Sequence, residues 1–283
     1  NALPLWGDAK LGIQQLDTKL SDWKASQEWE DLAHEESSKW NNYYDEITSI
    51  KSTSKTMDSL PTDAQVLGEL KRNGKATDIV VCAAGSLPGE LHKLWRTEQT
   101  GGYHAEYGFS CMGYEIAGGL GVKMAEPERE VIVLVGDGSY LMLNSELATS
   151  VMLGQKIIVV VLDNRGFSCI NRLQNATGNR SFNNLLKDCE SIDDGHPNVN
   201  FALHAQSLGA NSEHIENINE LASALERARL SSKSYLISLV TDSHKISPEG
   251  GCWWEVAVPE VSSNKNGDEV YNSYKKGKKQ QPY

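Results

Sequence analysis

The chain has 283 residues, of which 39% are apolar and 23% charged, with a formal net charge of −11. That length supports one large or two ordinary domains with a sizeable core, and the acid excess argues against a broad basic face for nucleic acid. No apolar run approaches the roughly 20 residues of a membrane-spanning helix, and the opening NALPLWGDAK lacks the basic and long apolar parts of a secretory leader.

Residues 3–6 form a short apolar run, and the GDAKLGIQQLDTKLSDW that follows places Leu11, Ile13, Leu16 and Leu20 at helical spacing. One strand and one helix cannot bury a core alone, so residues 1–23 are expected to end a preceding domain, and the chain is expected to be a piece of a longer protein. Residues 24–60 are polar and rich in Ser, Thr and Lys; their Trp29, Trp40, Tyr43 and Tyr44 predict a linker arm lying on a protein surface. From residue 61 the composition becomes that of an α/β domain. Residues 63–72 predict a helix closed by Asn73-Gly74, residues 79–82 a strand, and Pro88 sits in the first turn of a helix carrying Leu91, Leu94 and Trp95. Residues 101–113, GGYHAEYGFSCMG, are too glycine-rich and aromatic for a core element and predict a functional loop. The small residues Ala117, Gly118, Gly119 and Gly121 suit a helix over 114–125 pressed closely onto a sheet.

The organising stretch is residues 130–170, EVIVLVGDGSYLMLNSELATSVMLGQKIIVVVLDNRGFSCI. Apolar runs at 131–135 and 157–162 flank a helical segment, which predicts a βαβ unit with a right-handed crossover. Both strands then end on one edge of a parallel sheet. Asp137 and Asn164 meet there, in the crevice where open α/β sheets hold ligands. Residues 171–198 read as polar and irregular, 201–208 and 218–230 as amphipathic helices, and 235–240 as a strand. The fold class is α/β, a parallel sheet with helices on both faces over residues 61–245. Residues 246–283 form a tail containing the apolar knot Gly250-Gly251-Cys252-Trp253-Trp254-Glu255 and a solvated cluster of Lys275, Lys276, Lys278 and Lys279. Five scattered cysteines, Cys82, Cys111, Cys169, Cys189 and Cys252, include no CxxC pair and predict reduced thiols in a cytoplasmic setting rather than disulfides or a zinc site.

A dinucleotide-binding loop is excluded, because Leu141 stands where the fingerprint needs its third glycine and an Asp sits between the first two. An ionised Asp beside a phosphate is repelled unless a cation bridges them. Mg2+ takes a few protein oxygens and completes its octahedron with phosphate and water; the Asp137 carboxylate, the Asn164 side-chain oxygen and the Gly166 carbonyl would supply three. Taken singly, Asp137 reads equally well as a helix cap and Asn164 as part of a solvated turn. Their joint placement, each directly after a strand, favours the metal.

Gly136-Asp137-Gly138 followed by Asn164 resembles the signature of the thiamine-diphosphate (ThDP) enzyme family, with Asp163 standing where many members have another Asn. The likeness extends to CMGYEIAGGLGVKMA. There it implies that Met112 props the cofactor in its bent conformation and that the Ser110 carbonyl meets the aminopyrimidine amine. Gly85, Ser86 and Leu87 match the loop that meets the diphosphate from the other side, and Gly138 and Ser139 offer it backbone N–H groups. Within the family, GGYHAEYGFSCMGYEIAGGLG, LNSELATS, LDNRGFSCINRLQ and GGCWWEVAVPEVS resemble the hydrolases of inositol catabolism that open the ring of a cyclic diketone. Acetolactate synthase- or carboligase-like chemistry is the alternative inside the family, and a non-catalytic α/β interaction module the alternative outside it. His104 and Glu106, in the loop before Met112, are candidates for orienting substrate or relaying protons, and Trp253 and Trp254 for covering the substrate entrance. The resemblance implies ThDP and Mg2+ as cofactors, a cyclic diketone as small-molecule substrate, and a homodimer or tetramer. It also implies an N-terminal pyrimidine-binding domain, expected outside this chain, that carries the cofactor-activating glutamate.

Overall fold

The computed structural model describes residues 3–50, 60–189, 198–247, 258–261, 263 and 266–280. The chain divides into two compact units, Asn1–Glu46 and Ile47–Tyr283. In the first, helix α1 (Ala9–Lys19) starts where the Asp8 side chain accepts the Leu11 N–H at 3.0 Å. None of its residues is buried. Residues 3–6 form no strand, since the described part of this unit holds only helices and offers no ladder partner.

Helix α2 (Gln27–Thr48) runs through the stretch read as a linker arm, for which no element was predicted. Local pairs one turn apart support it: Gln27 Nε2 donates to Asp31 at 2.9 Å, and Lys39 pairs with Glu35 at 2.7 Å. Trp29, Leu32, Trp40, Tyr43, Tyr44 and Ile47 fall at helical spacing along it, a stripe set among polar residues.

In the second unit a reciprocal capping box between Thr62 and Gln65 opens helix α3 (Asp63–Arg72). Strand β1 (Ile79–Cys82), helix α4 (Ser86–Leu94), strand β2 (Tyr103–Ala105), helix α5 (Tyr114–Ala125) and strand β3 (Val131–Gly136) follow. Next come helices α6 (Asp137–Met142) and α7 (Ser145–Met152), strand β4 (Ile158–Asp163), helices α8 (Ser168–Ala176) and α9 (Phe201–Ser207), and strand β5 (Asn211–His214). Helix α10 (Leu221–Leu230), strand β6 (Tyr235–Val240) and helix α11 (Gly267–Lys279) complete the order.

The strands pair in the order β2-β1-β3-β4-β6-β5, every pair parallel. The four central strands are buried almost end to end, as parallel strands covered on both faces must be. On one face Val81, Val133, Val135, Val159 and Val161 pack with Ile116, Tyr140, Leu147 and Phe201 from α5, α6, α7 and α9. The alternate residues Val80, Leu134 and Val160 are equally buried against the opposite layer, where α3 packs with α4 and α10. Each such buried aliphatic side chain contributes about 1.5–3 kcal/mol. The glycines of α5 serve close packing: a Cβ on Gly119 would collide with the Val133 side chain of β3.

Four further elements depart from the reading of the sequence. β2 and β5 are edge strands of three and four residues, only partly buried and too short to show alternation. β2 therefore corrects the reading of residues 101–113 as wholly loop. α8 extends into the stretch read as irregular, exposing Ile170 and Leu173. In α11, Lys275 Nζ lies 4.3 Å from the Tyr271 ring centre, so the lysine cluster belongs to a helix with its own cation–π contacts. The apolar knot with Trp253 and Trp254 lies outside the described residues.

Candidate cofactor and metal site

Topology opens the site. From β1 the chain runs outward to β2 and then crosses back to β3 on the other side of β1. The connections after β1 and β3 leave in opposite directions, and a crevice forms at the carboxyl ends of the strands. The register pairs Gly136 with Leu162, so Asp137 and Asp163 follow at neighbouring positions.

A cavity of about 300 Å³ occupies this crevice. Gly85, Ser86 and Leu87 line it from the turn after β1, and Ser110 and Met112 from the loop before α5. Gly136, Asp137, Gly138 and Ser139 approach from the end of β3 and start of α6, and Asn164 and Gly166 from the loop after β4. The structure thus brings eleven sequence-chosen residues around one cavity. Phe167, Ser168, Cys169, Ile170 and Leu173 add an α8 wall, and Asp63 contributes a carboxyl from α3.

The loop after β4 is fixed by its backbone. Phe167 N–H donates to Asn184 O at 2.7 Å and Leu186 N–H to Arg165 O at 2.9 Å, clamping residues 165–167 against 184–186. Gly166 has φ +138°, and a Cβ there would collide with Asn184 O. Asp163 accepts the Arg165 N–H at 3.0 Å and pairs with the Arg165 guanidinium at 3.2 Å, so its charge is turned to holding this loop.

Asp137 is 6% exposed. Its Oδ2 accepts the Gly166 N–H at 2.8 Å, whereas its Oδ1 is buried without a partner, as is Oδ1 of Asn164. Burial, then the charge of Asp163, push the Asp137 carboxyl up to about 7, against the lowering effect of N–H groups from Gly166 and Gly138. Two partnerless buried oxygens beside two acids make a site short of positive charge. All of the donors are hard oxygens, the ligand class Mg2+ takes, so the residues present fit that ion. They also fit a diphosphate: α4 and α8 begin at the cavity with no side-chain cap on their first turns, and helix N-termini favour an anion.

His104 and Glu106 stand apart from the cavity. His104 Nε2 lies 2.7 Å from Tyr114 Oη, and its ring stacks on Tyr114 at 6.0 Å, in a separate groove beside β2. Glu106 accepts the N–H groups of Phe109 at 2.9 Å and Cys111 at 2.7 Å, and these bonds hold its carboxyl below the usual glutamate value. It therefore shapes the turn in which Ser110 takes φ +52°. In this geometry the His104 ring is engaged by a tyrosine and the Glu106 carboxylate by backbone N–H groups, and neither lines the cavity.

Asp63 was hidden in sequence by its place just inside a helix cap. It is 6% exposed, with Oδ1 lacking a partner. Burial and the nearby Glu90 charge push its carboxyl up to about 6. An acid whose folded pKa is raised contributes stability that is present below its unfolded value and lost as pH passes the folded one. Ligand-free protein is expected to lose on the order of 2 kcal/mol from this group between about pH 4 and pH 7. Urea unfolding across that range should show a flatter profile for Asp63→Asn; a profile parallel to wild type would refute the assignment.

The profile described as "Thiamine pyrophosphate enzyme, C-terminal TPP binding domain" matches residues 83–239. The chain belongs to this family. Among curated relatives of this thiamine-pyrophosphate (ThDP) family member, the 3D-(3,5/4)-trihydroxycyclohexane-1,2-dione hydrolase of Clostridium tetani is 35% identical over 96% of the chain and 46% of the relative. The protein of that name from Bacillus licheniformis is 43% identical over 70% of the chain and 31% of the relative. The chain thus spans less than half the length of these relatives. A solved structure, the thiamine diphosphate-dependent 4-hydroxybenzoylformate decarboxylase of Rhodococcus jostii, superposes with TM-score 0.55 at 18% identity. It covers 65% of the chain and 33% of that structure's chain, a likeness of fold.

Proposed function

We propose that this chain forms the diphosphate- and Mg2+-binding half of a ThDP-dependent hydrolase. The reaction is cleavage of a carbon–carbon bond in a trihydroxycyclohexane-1,2-dione, opening the ring to 5-deoxyglucuronate in myo-inositol degradation. The observation that carries the cofactor reading is the pair of buried, partnerless oxygens on Asp137 and Asn164. The names of the similar relatives support the substrate.

In this reading Asp137, Asn164 and the Gly166 carbonyl hold Mg2+. Gly85, Ser86, Leu87, Gly138 and Ser139 surround the diphosphate, and Ser110 and Met112 meet the pyrimidine end. The bound cofactor supplies carbanion chemistry and an electron sink for bond cleavage. The chain's own residues orient it: the orphan oxygens take up the positive charge of Mg2+, and the apolar side chains of Leu162, Phe167 and Leu173 limit water around it. The activating glutamate belongs to a pyrimidine-binding domain, so a homodimer or tetramer with that domain completes the site. A reducing, cytoplasmic compartment belongs to the same reading, supported by Cys82, Cys111, Cys169 and Cys189, none of which is in a disulfide among the described residues.

The test is product analysis. The full-length protein, given the cyclic dione with ThDP and Mg2+, should yield the ring-opened acid by NMR. Carboligation of pyruvate or glyoxylate without ring opening would assign it to the other chemistry. This chain alone should not turn over substrate; robust ring opening by it would remove the need for the partner domain.

A further inference from the structure

Glu115, in the first turn of α5, is 1% exposed, and hydrogen-bond donors alone meet its carboxylate. Ala84 N–H reaches Oε1 at 3.2 Å and Gly113 N–H reaches Oε2 at 3.0 Å. Ser139 Oγ lies 2.8 Å from both oxygens and in turn accepts the Gly113 N–H at 2.8 Å. A buried carboxylate without a cation is costly unless donors surround it. Here the N-terminal end of α5 adds its favourable partial charge, and an apolar side chain would leave the Ala84 N–H orphaned.

Each donor belongs to a different part of the cavity wall. Ala84 leads into Gly85, Gly113 follows Met112, and Ser139 comes just after Asp137 and Gly138 in α6. One carboxylate therefore ties the two turns that flank the diphosphate position to the loop that carries Met112. The Gly113 bond could serve α5 alone, since Gly113 is its N-cap, but the bonds to Ala84 and Ser139 reach 31 and 24 residues away and α5 needs neither.

We infer that Glu115 is a positioning residue of the cofactor site, setting the distance between Met112 and the turns that meet the diphosphate. This rests on the ThDP reading above. A Gln at this position keeps the size and one oxygen but turns an amide N–H toward a backbone donor, distorting the cross-link without emptying the core.

The test is a double-mutant cycle on the full-length protein, read as ThDP affinity by calorimetry at saturating Mg2+. Glu115→Gln should weaken ThDP binding about tenfold, the loss of one hydrogen bond to a charged group. In a Met112→Ala background the same change should weaken it less than about twofold, because the residue through which Glu115 acts is gone. Equal losses in both backgrounds, or none in either, would overturn the inference. Ser139→Ala, which removes the bridging hydroxyl and leaves the Glu115 backbone bonds, serves in the same cycle if Glu115→Gln does not fold, and the same two outcomes decide. Absence of ThDP binding by the wild type would overturn the cofactor reading itself, and this inference with it.

Discussion

Asp137→Ala is expected to abolish Mg2+-dependent ThDP binding in the full-length protein, lowering affinity about a hundredfold or more while the fold survives. The loss is large because Asp137 and Asn164 provide the partnerless buried oxygens at the ends of β3 and β4 among the described residues lining the cavity, with Asp63 contributing another from α3. The fold survives because the ligand-free protein gains little from this carboxylate. Its backbone hydrogen bonds, from the Gly166 and Gly138 N–H groups, are set against burial and the charge of Asp163. Asp137→Asn sharpens the contrast. The amide oxygen still accepts from Gly166, an unpaired buried charge disappears, and ligand-free stability should hold or rise by roughly 1 kcal/mol, while metal-dependent binding falls. Calorimetry and urea unfolding on the same samples measure both. Unchanged cofactor affinity in either variant would refute the metal assignment.

The opposition between stability and binding at Asp137 also explains why this part of the site was legible in the sequence. A carboxylate between two glycines directly after an apolar strand could cap a helix on its own, but paired with an Asn directly after the next strand it points to a ligand. The apolar runs of β1, β3, β4 and β6 were legible for a related reason: parallel strands covered on both faces must be continuously apolar. Edge strands escape that demand, which is why β2 and β5 passed unseen. Glu115 left a trace, a lone acid in the apolar, glycine-rich YEIAGGLG, but its three partners lie up to 31 residues away and only folding reveals them. Asp63 left none, since an acid after Thr62 looks like ordinary helix capping. His104 and Glu106 show the opposite difficulty. Both are residue types that carry proton chemistry, and sequence cannot say that Tyr114 and the backbone of residues 109 and 111 already hold them.

Gly166→Ala is expected to damage stability and metal binding together, unlike any change at Asp137. At φ +138° an L side chain is strained by about 1–3 kcal/mol. The new Cβ would also press on the Asn184 carbonyl, and backbone offers none of the give of a flexible side chain, which adds an overpacking cost of about 1–3 kcal/mol. The loop can relieve both only by opening the clamp between residues 165–167 and 184–186. That movement withdraws the N–H that holds Asp137 Oδ2 at 2.8 Å and shifts Asn164, two residues earlier. Gly136→Ala is the control. Gly136 has an ordinary φ of −76° with open space where a Cβ would stand, so ligand-free stability should change by less than about 1 kcal/mol. That open space belongs to the cavity, and the added methyl group should weaken ThDP binding alone. If Gly166→Ala unfolds at the wild-type urea midpoint, the clamp is not what holds the ligand oxygens in place; if Gly136→Ala binds ThDP as tightly as wild type, the diphosphate does not pass beside β3.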